Sequence, residues 1–481
     1  MNENKVIILG AGPAGMACAM ELYKQNIKVV VIEKDKKVGG LAKTLEFQEG
    51  EYKFRTDIGP HRFFSKNKYL YDFIEDLLQE QWLLVNRKTR QLIDGKYYDY
   101  PVKAMQAFKN LGVFKTIGMI SSYLQAIFIF RILKKKINNF EDYIISNFGK
   151  KLGEFNMLNY TEKIWGISCK KIHLDWASQR IKGLNLRSVL KDVLFKKYAK
   201  DLPKTLVDQF YYPQFGTGTI YEAIAKRIQK NNSEVFVNSF PTQIIHDDKT
   251  IKQIELNING EMQIMQPSKL VSSIPINELI NLLNPLPPEE ILKAATNLKW
   301  RAQVYLFITL DKERITDDNW VYFPNKEIPF GRITEMKNFS LDMSPKDKTS
   351  LFVEFFVTEN EGIWNLSEQE IYDLAIKHLE SLGLFSHKEV RKFYVFKKKN
   401  VYPIYDLEYQ KHLATIKEYL NEFSNLFYIG RPGRFQYTNQ DHSLEMGILT
   451  AKGIIENKKY DLESIGTEKD YFEAGQIKKN K

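Results

Sequence analysis

Cysteine is close to absent: Cys18 and Cys169 are the only two in 481 residues, far apart and in no metal-ligating or redox spacing. That excludes a disulfide framework and points to a reducing compartment. The chain has no internal repeat, no low-complexity tract and no nucleic-acid-binding module, which sets aside solenoids, disordered scaffolds and nucleic-acid partners. The segments that carry motifs hold no serine–histidine–acid set and no metal cluster, so no metal is expected. A convincing membrane span is also missing. The longest apolar stretch, Ile117 to Leu133, contains Ser121, Ser122, Gln125 and Arg131 and runs into Lys134-Lys135-Lys136. It is short and poor for a span. A helix of an all-α insertion accounts for it better, with an interfacial helix gripping a bilayer face as the alternative.

What is present describes an ordinary globular chain. A hydrophobic content of 43 % with 13 % aromatics suffices for two or three domains with ample core. The formal net charge of +11 is modest for this length. Much of it sits in clusters (Lys134–Lys136, Lys397–Lys399, the lysine-rich C-terminus) that read as solvated faces. As an attraction it suits an anionic ligand or an acidic membrane surface. Met1 leads within five residues into an apolar strand, so no signal peptide is expected. The expected location is cytoplasmic, with peripheral contact at the inner face of the membrane left open, as is an oligomer.

The most informative residues are Val6-Ile-Ile-Leu-Gly10-Ala-Gly12-Pro13-Ala14-Gly15, followed by Val29-Val-Val-Ile-Glu33. An apolar strand enters a glycine turn, a helix follows, and a second strand ends in an acid. Gly10 allows the turn, Gly12 admits a pyrophosphate to the backbone, Gly15 lets helix pack on strand, and Glu33 can take ribose hydroxyls. The phosphates then face a positive helix N-terminus. A glycine doublet, Gly39-Gly40-Leu41, comes just past the acid and Lys34. That second close backbone approach suits the longer FAD better than NAD.

The rest of the chain reads as a discontinuous Rossmann-type α/β domain with two insertions. The expected boundaries are 1–87 for the first part of the FAD-binding domain and 88–101 for strands of a sheet domain, which include an Asp94-Gly95 hairpin. Next come 102–200 as a helical substrate domain, where prolines are few and apolar stripes recur at helical spacing, and 201–216 as a further sheet-domain strand. Residues 217–275 return to the FAD-binding domain, with a helix over Thr219–Lys230 and strands over Val235–Leu256 and Lys269–Ile274. An antiparallel-sheet substrate domain follows over 276–419, then the third part of the FAD-binding domain over 420–460 and a tail over 461–481. In that third part a strand breaks into a loop at Gly430, and a long helix starts near Ser443.

Four further segments carry chemistry. Asp57-Ile-Gly59-Pro60-His61 could set backbone against an isoalloxazine ring, although His61 also fits a satisfied structural histidine. Tyr160-Thr-Glu-Lys-Ile-Trp165, followed by Asp175-Trp176-Ala-Ser-Gln-Arg180, offers flat rings to a base or sugar and an arginine to a phosphate. Aromatic pairs on a helix are more often core. Ile328-Pro-Phe-Gly331-Arg332-Ile-Thr-Glu335-Met-Lys337 places an arginine on a strand after a glycine. Gly430-Arg431-Pro-Gly433-Arg434-Phe-Gln-Tyr437-Thr-Asn439-Gln440-Asp441-His442-Ser443 aims a helix N-terminus at a ligand, where it can stabilise negative charge at a reduced flavin's pyrimidine edge.

Together these segments resemble the UDP-galactopyranose mutase family, over nearly the whole chain. Gly59-Pro60-His61 is similar to its flavin loop, and Tyr160 to Trp165 to a segment whose tyrosine stacks on uridine and whose tryptophan lies by the sugar. Ile328 to Lys337 is similar to the stretch whose arginine holds the substrate diphosphate. Asn439 to Ser443 and Tyr212 to Gly218 look like the family's eukaryotic branch. The resemblance implies Arg180 as a second diphosphate arginine and Tyr402 and Tyr437 as phosphate-side tyrosines. Where the family places an asparagine near the sugar, this chain reads Tyr100-Pro-Val-Lys103, and Lys103 suits an acidic group on the sugar.

The implied activity is ring contraction of a nucleotide-diphosphate sugar, pyranose to furanose, through an adduct of reduced-flavin N5 with the sugar. NAD(P)H is a candidate reductant. The implied cofactor contacts are Gly10, Gly12, Pro13, Ala14, Gly15, Glu33, Lys34, Gly39, Gly40, Leu41, Gly59, Pro60, His61, Gly430, Arg431, Asn439, Gln440, Asp441 and Ser443. The implied substrate contacts are Lys103, Tyr160, Trp165, Arg180, Arg332, Tyr402 and Tyr437. His61, Arg180 and Arg332 are the residues expected at the reacting groups. The runner-up is an FAD oxidoreductase of the amine oxidase or protoporphyrinogen oxidase type, which shares the fold and both glycine motifs. A non-catalytic flavin-binding or membrane-associated scaffold is the third reading.

Overall fold

The computed structural model describes residues 5–466 apart from 101, 103, 181–208 and 232, with backbone alone at 104, 178–180 and 231. At its centre is a five-stranded parallel sheet in the order Leu426–Tyr428, Lys269–Ser272, Val6–Leu9, Val29–Ile32, Glu234–Phe236. Val6 stands opposite both Lys269 and Val29 in this sheet. The strands read as apolar runs because both faces are covered. One face packs on the helices Pro13–Lys24, Lys68–Leu78, Gly218–Ile228 and Gln440–Glu456. The other packs on a smaller four-stranded sheet and on the helices Ile276–Leu282, Glu289–Asn297 and Tyr409–Asn421.

The strands expected over Val235–Leu256 divide between two sheets. Glu234–Phe236 joins the parallel sheet, whereas Ser239–Asp247 and Thr250–Ile258 pair antiparallel with each other in the smaller one. The longer pair has its own apolar face, Ile244, Ile254 and Leu256, which needs a separate layer to cover it.

The second large layer is a seven-stranded sheet in the order Val390–Pro403, Trp300–Leu310, Thr349–Val357, Arg332–Thr334, Trp320–Tyr322, Thr89–Ile93, Lys96–Asp99. It was expected to be antiparallel. It is so except where Trp320–Tyr322 runs parallel to Thr89–Ile93, because the Asp94-Gly95 hairpin enters from a distant chain segment. The strand expected within 201–216, Gln209–Pro213, pairs with Trp82–Asn86 in a ribbon of its own and not with this sheet. Trp82 stacks on Tyr211 across that ribbon, 5.3 Å between ring centres. The helical insertion starts at Ala104 and runs to Ile127, with a non-helical break at Gly112 and a wider turn over Phe128–Ile132. Its inner helices close on a cluster of Phe140, Ile144, Leu158, Trp165 and Trp176.

Candidate active site

The nucleotide end assembles from four places in the sequence. Pro13 opens the first helix behind Gly12, where its missing N–H costs nothing. Gly10 has φ +94°, and a Cβ on Gly15 would lie 2.1 Å from the Gly10 carbonyl oxygen, so neither position takes a side chain. Glu33 is buried and accepts from the backbone N–H groups of Ala11 (2.8 Å) and Asp35 (2.9 Å). The doublet Gly39-Gly40 folds back on this turn: the Gly39 N–H donates to Ala11 O, and a Cβ on Gly40 would stand 3.1 Å from Gly12 Cα. Gly430 closes the far side, 3.0 Å from the Ala14 Cβ by the same measure. The exposed Lys34 side chain reaches towards Glu278, at 3.9 Å. Asp35, next in sequence, pairs instead with Lys43 and Lys398. Although burial works the other way, those two lysines hold its carboxyl down at about 2.

Two motifs that were separate in the sequence meet on Asp57. Its buried carboxylate accepts from Thr44 Oγ1 (2.6 Å), Tyr212 OH (2.7 Å) and the Thr217 N–H (3.1 Å). The Tyr212–Gly218 loop is thereby pinned beneath the Gly59–His61 loop, and Thr217 Oγ1 donates to the His61 carbonyl at 3.3 Å. The His61 ring donates from Nε2 to the carbonyls of Leu41 (2.8 Å) and Ile58 (2.9 Å). It therefore ties the glycine doublet to the flavin-type loop as a neutral ring. Burial, and then the charge of Arg431, push its pKa down to about 4.

The opposite wall is aromatic and cationic. Arg332 lies opposite Glu354 in the sheet ladder. Its Nη2 donates to Glu354 Oε1 at 2.7 Å, and its Nε donates to Oε2. The Glu354 side chain is 1 % exposed and that of Arg332 15 %. The pair backs directly on the flavin-type loop: a Cβ on Gly59 would lie 3.4 Å from Glu354 Oε1 and 3.5 Å from Arg332 Nη2. Gln303 Nε2 donates to Glu354 Oε1 (3.2 Å), and Tyr305 OH donates to Gln303 Oε1 (2.6 Å), which completes a buried network. Both N–H groups of Arg332 Nη1 stay outside it.

Tyr160 packs edge-on against Tyr322, 5.4 Å between ring centres, within the electrostatic reach of Arg332. Tyr402 and Tyr437 stack at 5.5 Å. Arg431 covers both rings, at 5.3 and 4.8 Å, and donates from Nε to Thr438 O at 2.8 Å. Trp165 belongs to the core of the helical insertion, edge-on to Trp176, Tyr402 and Tyr437. Among the described residues its buried indole N–H has no hydrogen-bond partner. Lys163, between Tyr160 and Trp165, donates to the carbonyls of Phe323 (2.7 Å) and Asn325 (2.8 Å), and burial lowers its pKa to about 7. Lys103 and the Arg180 side chain fall outside the described residues.

The family model for flavin containing amine oxidoreductase matches residues 13–430. The chain belongs to that family. Among relatives, a probable UDP-galactopyranose mutase of Klebsiella pneumoniae is 23 % identical over 208 residues, 42 % of this chain and 51 % of that protein. An L-amino-acid oxidase of Bothrops jararacussu is 21 % identical over 363 residues, 69 % of this chain and 67 % of that one. The first alignment thus spans only about half of the mutase. Among solved structures, a reduced UDP-galactopyranose mutase superposes with a TM-score of 0.80 at 20 % identity, covering 97 % of this chain and 96 % of that one. That is a likeness of fold. A UDP-galactopyranose mutase, the family that the four segments resemble, thus stands among both the relatives and the solved structures, beside an amino-acid oxidase among the relatives.

The family implies a flavin, and the glycine turn, Glu33 and the Gly39–Gly40 doublet are the residues that would hold it. The Gly12/Gly40 approach is a backbone cradle that a Cβ would fill. The helix Gln440–Glu456 starts at Gln440, three residues before the expected Ser443, after a short helical turn at Gly430–Arg434. Among the described residues the amide of buried Gln440 makes no close hydrogen bond, and the buried Tyr221 hydroxyl is the polar group that interacts with it. Asp441 and Ser443 are buried beside it. Among the described residues no group of acidic, histidine or cysteine side chains could hold a metal ion.

Sequence reading missed Glu354, Tyr322 and Asp57 as a hub. Glu354 had a signal: it is a lone acid inside the apolar run Leu351-Phe-Val-Glu354-Phe-Phe-Val. A charge there must be paired when the strand is buried.

Proposed function

We propose that the protein is a flavin-dependent mutase that interconverts pyranose and furanose forms of a nucleotide-diphosphate sugar. The observation that carries this reading is the Arg332–Glu354 pair set directly against the Gly59–His61 loop. A cation fixed there serves a phosphate that departs and returns beside the flavin, and an apolar or amine substrate has little use for it. Glu354 holds the Nε/Nη2 edge of Arg332, so the Nη1 edge is turned to a ligand without further ordering. Tyr160 and Tyr322 offer ring faces to a base, and Tyr402 and Tyr437, covered by Arg431, offer hydroxyls to phosphate oxygens. Reduced flavin would supply the nucleophile that takes the sugar from its diphosphate. His61, held neutral, keeps the loops around the ring closed and moves no proton. FAD is the cofactor on this reading and NAD(P)H a candidate reductant.

The family match and the amino-acid oxidase relative support a second reading, a true oxidoreductase. One experiment separates the two. The flavin is reduced with dithionite without oxygen, a panel of UDP- and dTDP-sugars including acidic ones is added, and isomers of unchanged mass are sought by chromatography. An isomer formed only with reduced flavin supports the mutase. No isomer from any sugar, with turnover of an amine or porphyrinogen by oxidised flavin, replaces it with the oxidoreductase.

A further inference from the structure

The helical insertion presents a surface that the proposed reaction does not use. From Tyr100 to Phe140 the chain contains no acid, yet it carries Lys103, Lys109, Lys115, Arg131, Lys134, Lys135 and Lys136. Within this segment Met105–Ile132 is long and apolar enough to cross a membrane by length and composition, and only 17 % of its most apolar window is buried. The outward face repeats at helical spacing through Val113, Ile117, Ile120, Leu124, Phe128 and Ile132, all exposed, with Phe114 at 92 %. An apolar stripe of this length belongs against protein or in lipid, and none of the described residues covers it.

The inner face fixes how such a helix can sit. Ser122, Tyr123 and Ala126 are buried against the domain. Ser122 Oγ accepts the Lys151 N–H at 3.1 Å, and a Cβ on Gly149 would lie 2.7 Å from Tyr123 Cα. Crossing a bilayer would strip away that packing. Lying along the surface keeps it and buries only the outward stripe. Exposed Lys109, Arg131, Lys134 and Lys136 have no ion-pair partner among the described residues and rim the stripe. Their charge complements an anionic headgroup layer.

We propose that this helix docks the protein in the plane of an anionic lipid bilayer, its Val113–Ile132 face among the acyl chains and its lysines on the headgroups. The test is flotation of the full-length flavin-loaded protein with vesicles of phosphatidylcholine alone or mixed with phosphatidylglycerol. The wild type should float with the mixed vesicles at low salt, and addition of salt should weaken this. Ile120→Glu/Leu124→Glu should lower partitioning about tenfold or more. Lys134→Glu/Lys136→Glu should lower it about tenfold and erase the preference for phosphatidylglycerol. Both pairs are exposed, so flavin content and unfolding temperature should match the wild type and certify the fold. Wild-type protein that stays unbound on mixed vesicles at low salt overturns the proposal. So does light scattering that shows a dimer which Ile120→Glu/Leu124→Glu converts to monomer without any flotation, since a second copy then covers the stripe.

Discussion

Replacing Arg332 by methionine tests the anion-clamp reading most directly, but the structure shows why that variant cannot be used alone. Glu354 is almost wholly buried and takes two of its hydrogen bonds from Arg332. At an effective dielectric of about 20, charges about 4 Å apart attract by roughly 4 kcal/mol. Removing one partner of a buried pair costs about 3–5 kcal/mol, because the other charge is left uncompensated. Arg332→Met and Glu354→Gln should each destabilise on that scale. The double variant removes both charges and keeps an oxygen to accept from Gln303, so it should lose only about 1 kcal/mol. The coupling would then be several kcal/mol, far above the ordinary limit of additivity. Urea unfolding of the flavin-loaded variants, followed by flavin absorbance, measures stability, and calorimetry measures UDP binding. The double variant should fold, retain flavin and lose UDP affinity at least about tenfold, a charge-assisted contact being worth about 1.5–3 kcal/mol. Additive single effects would refute the buried-pair argument. A double variant that binds UDP like the wild type would refute the clamp.

Other consequences can be checked separately. The His61 ring is held at about 4 when folded and titrates near 6.5 when unfolded, so as pH falls the unfolded chain takes the proton first. Its share of stability, about 3 kcal/mol, should be intact above pH 6.5, lost down to about pH 4 and level below; His61→Gln, which retains a donor, should flatten that part of the unfolding profile. Asp57→Ala should leave Thr44, Tyr212 and Thr217 without their acceptor and cost about 3 kcal/mol, with Asp57→Asn milder, as thermal unfolding would show. Gly15→Ala would force a Cβ to 2.1 Å from the Gly10 carbonyl, and the purified protein should be colourless or markedly depleted in flavin.

The glycine turn, Glu33 and the doublet were legible because each demand there is local: a turn, a close approach, an acid at a strand end. Tyr160, Arg332, Tyr402 and Tyr437 come from segments far apart, and only the family resemblance joined them in the sequence. Glu354 and Asp57 were not legible as partners, since their roles depend on register. Arg332 finds Glu354 across a ladder, and Asp57 finds Tyr212 and Thr217 through a loop more than 150 residues later. The ribbon of Gln209–Pro213 was misplaced for the same reason: a strand's pattern gives its faces but not its neighbour.

The order of the central sheet also bears on how the chain is made. Val6–Leu9 lies in the middle, with Lys269–Ser272 beside it and Leu426–Tyr428 beyond. At roughly 5–20 residues per second, Val6–Leu9 waits roughly 13–50 seconds on the ribosome before its later neighbour, Lys269–Ser272, is synthesised. During that time an apolar strand edge is open to other nascent chains. Any message truncated before Lys269 would leave that edge unpaired for good. Yield in cells should therefore depend on chaperone capacity and translation speed, and a stalled or clipped product would be cleared or aggregate before it could bind flavin.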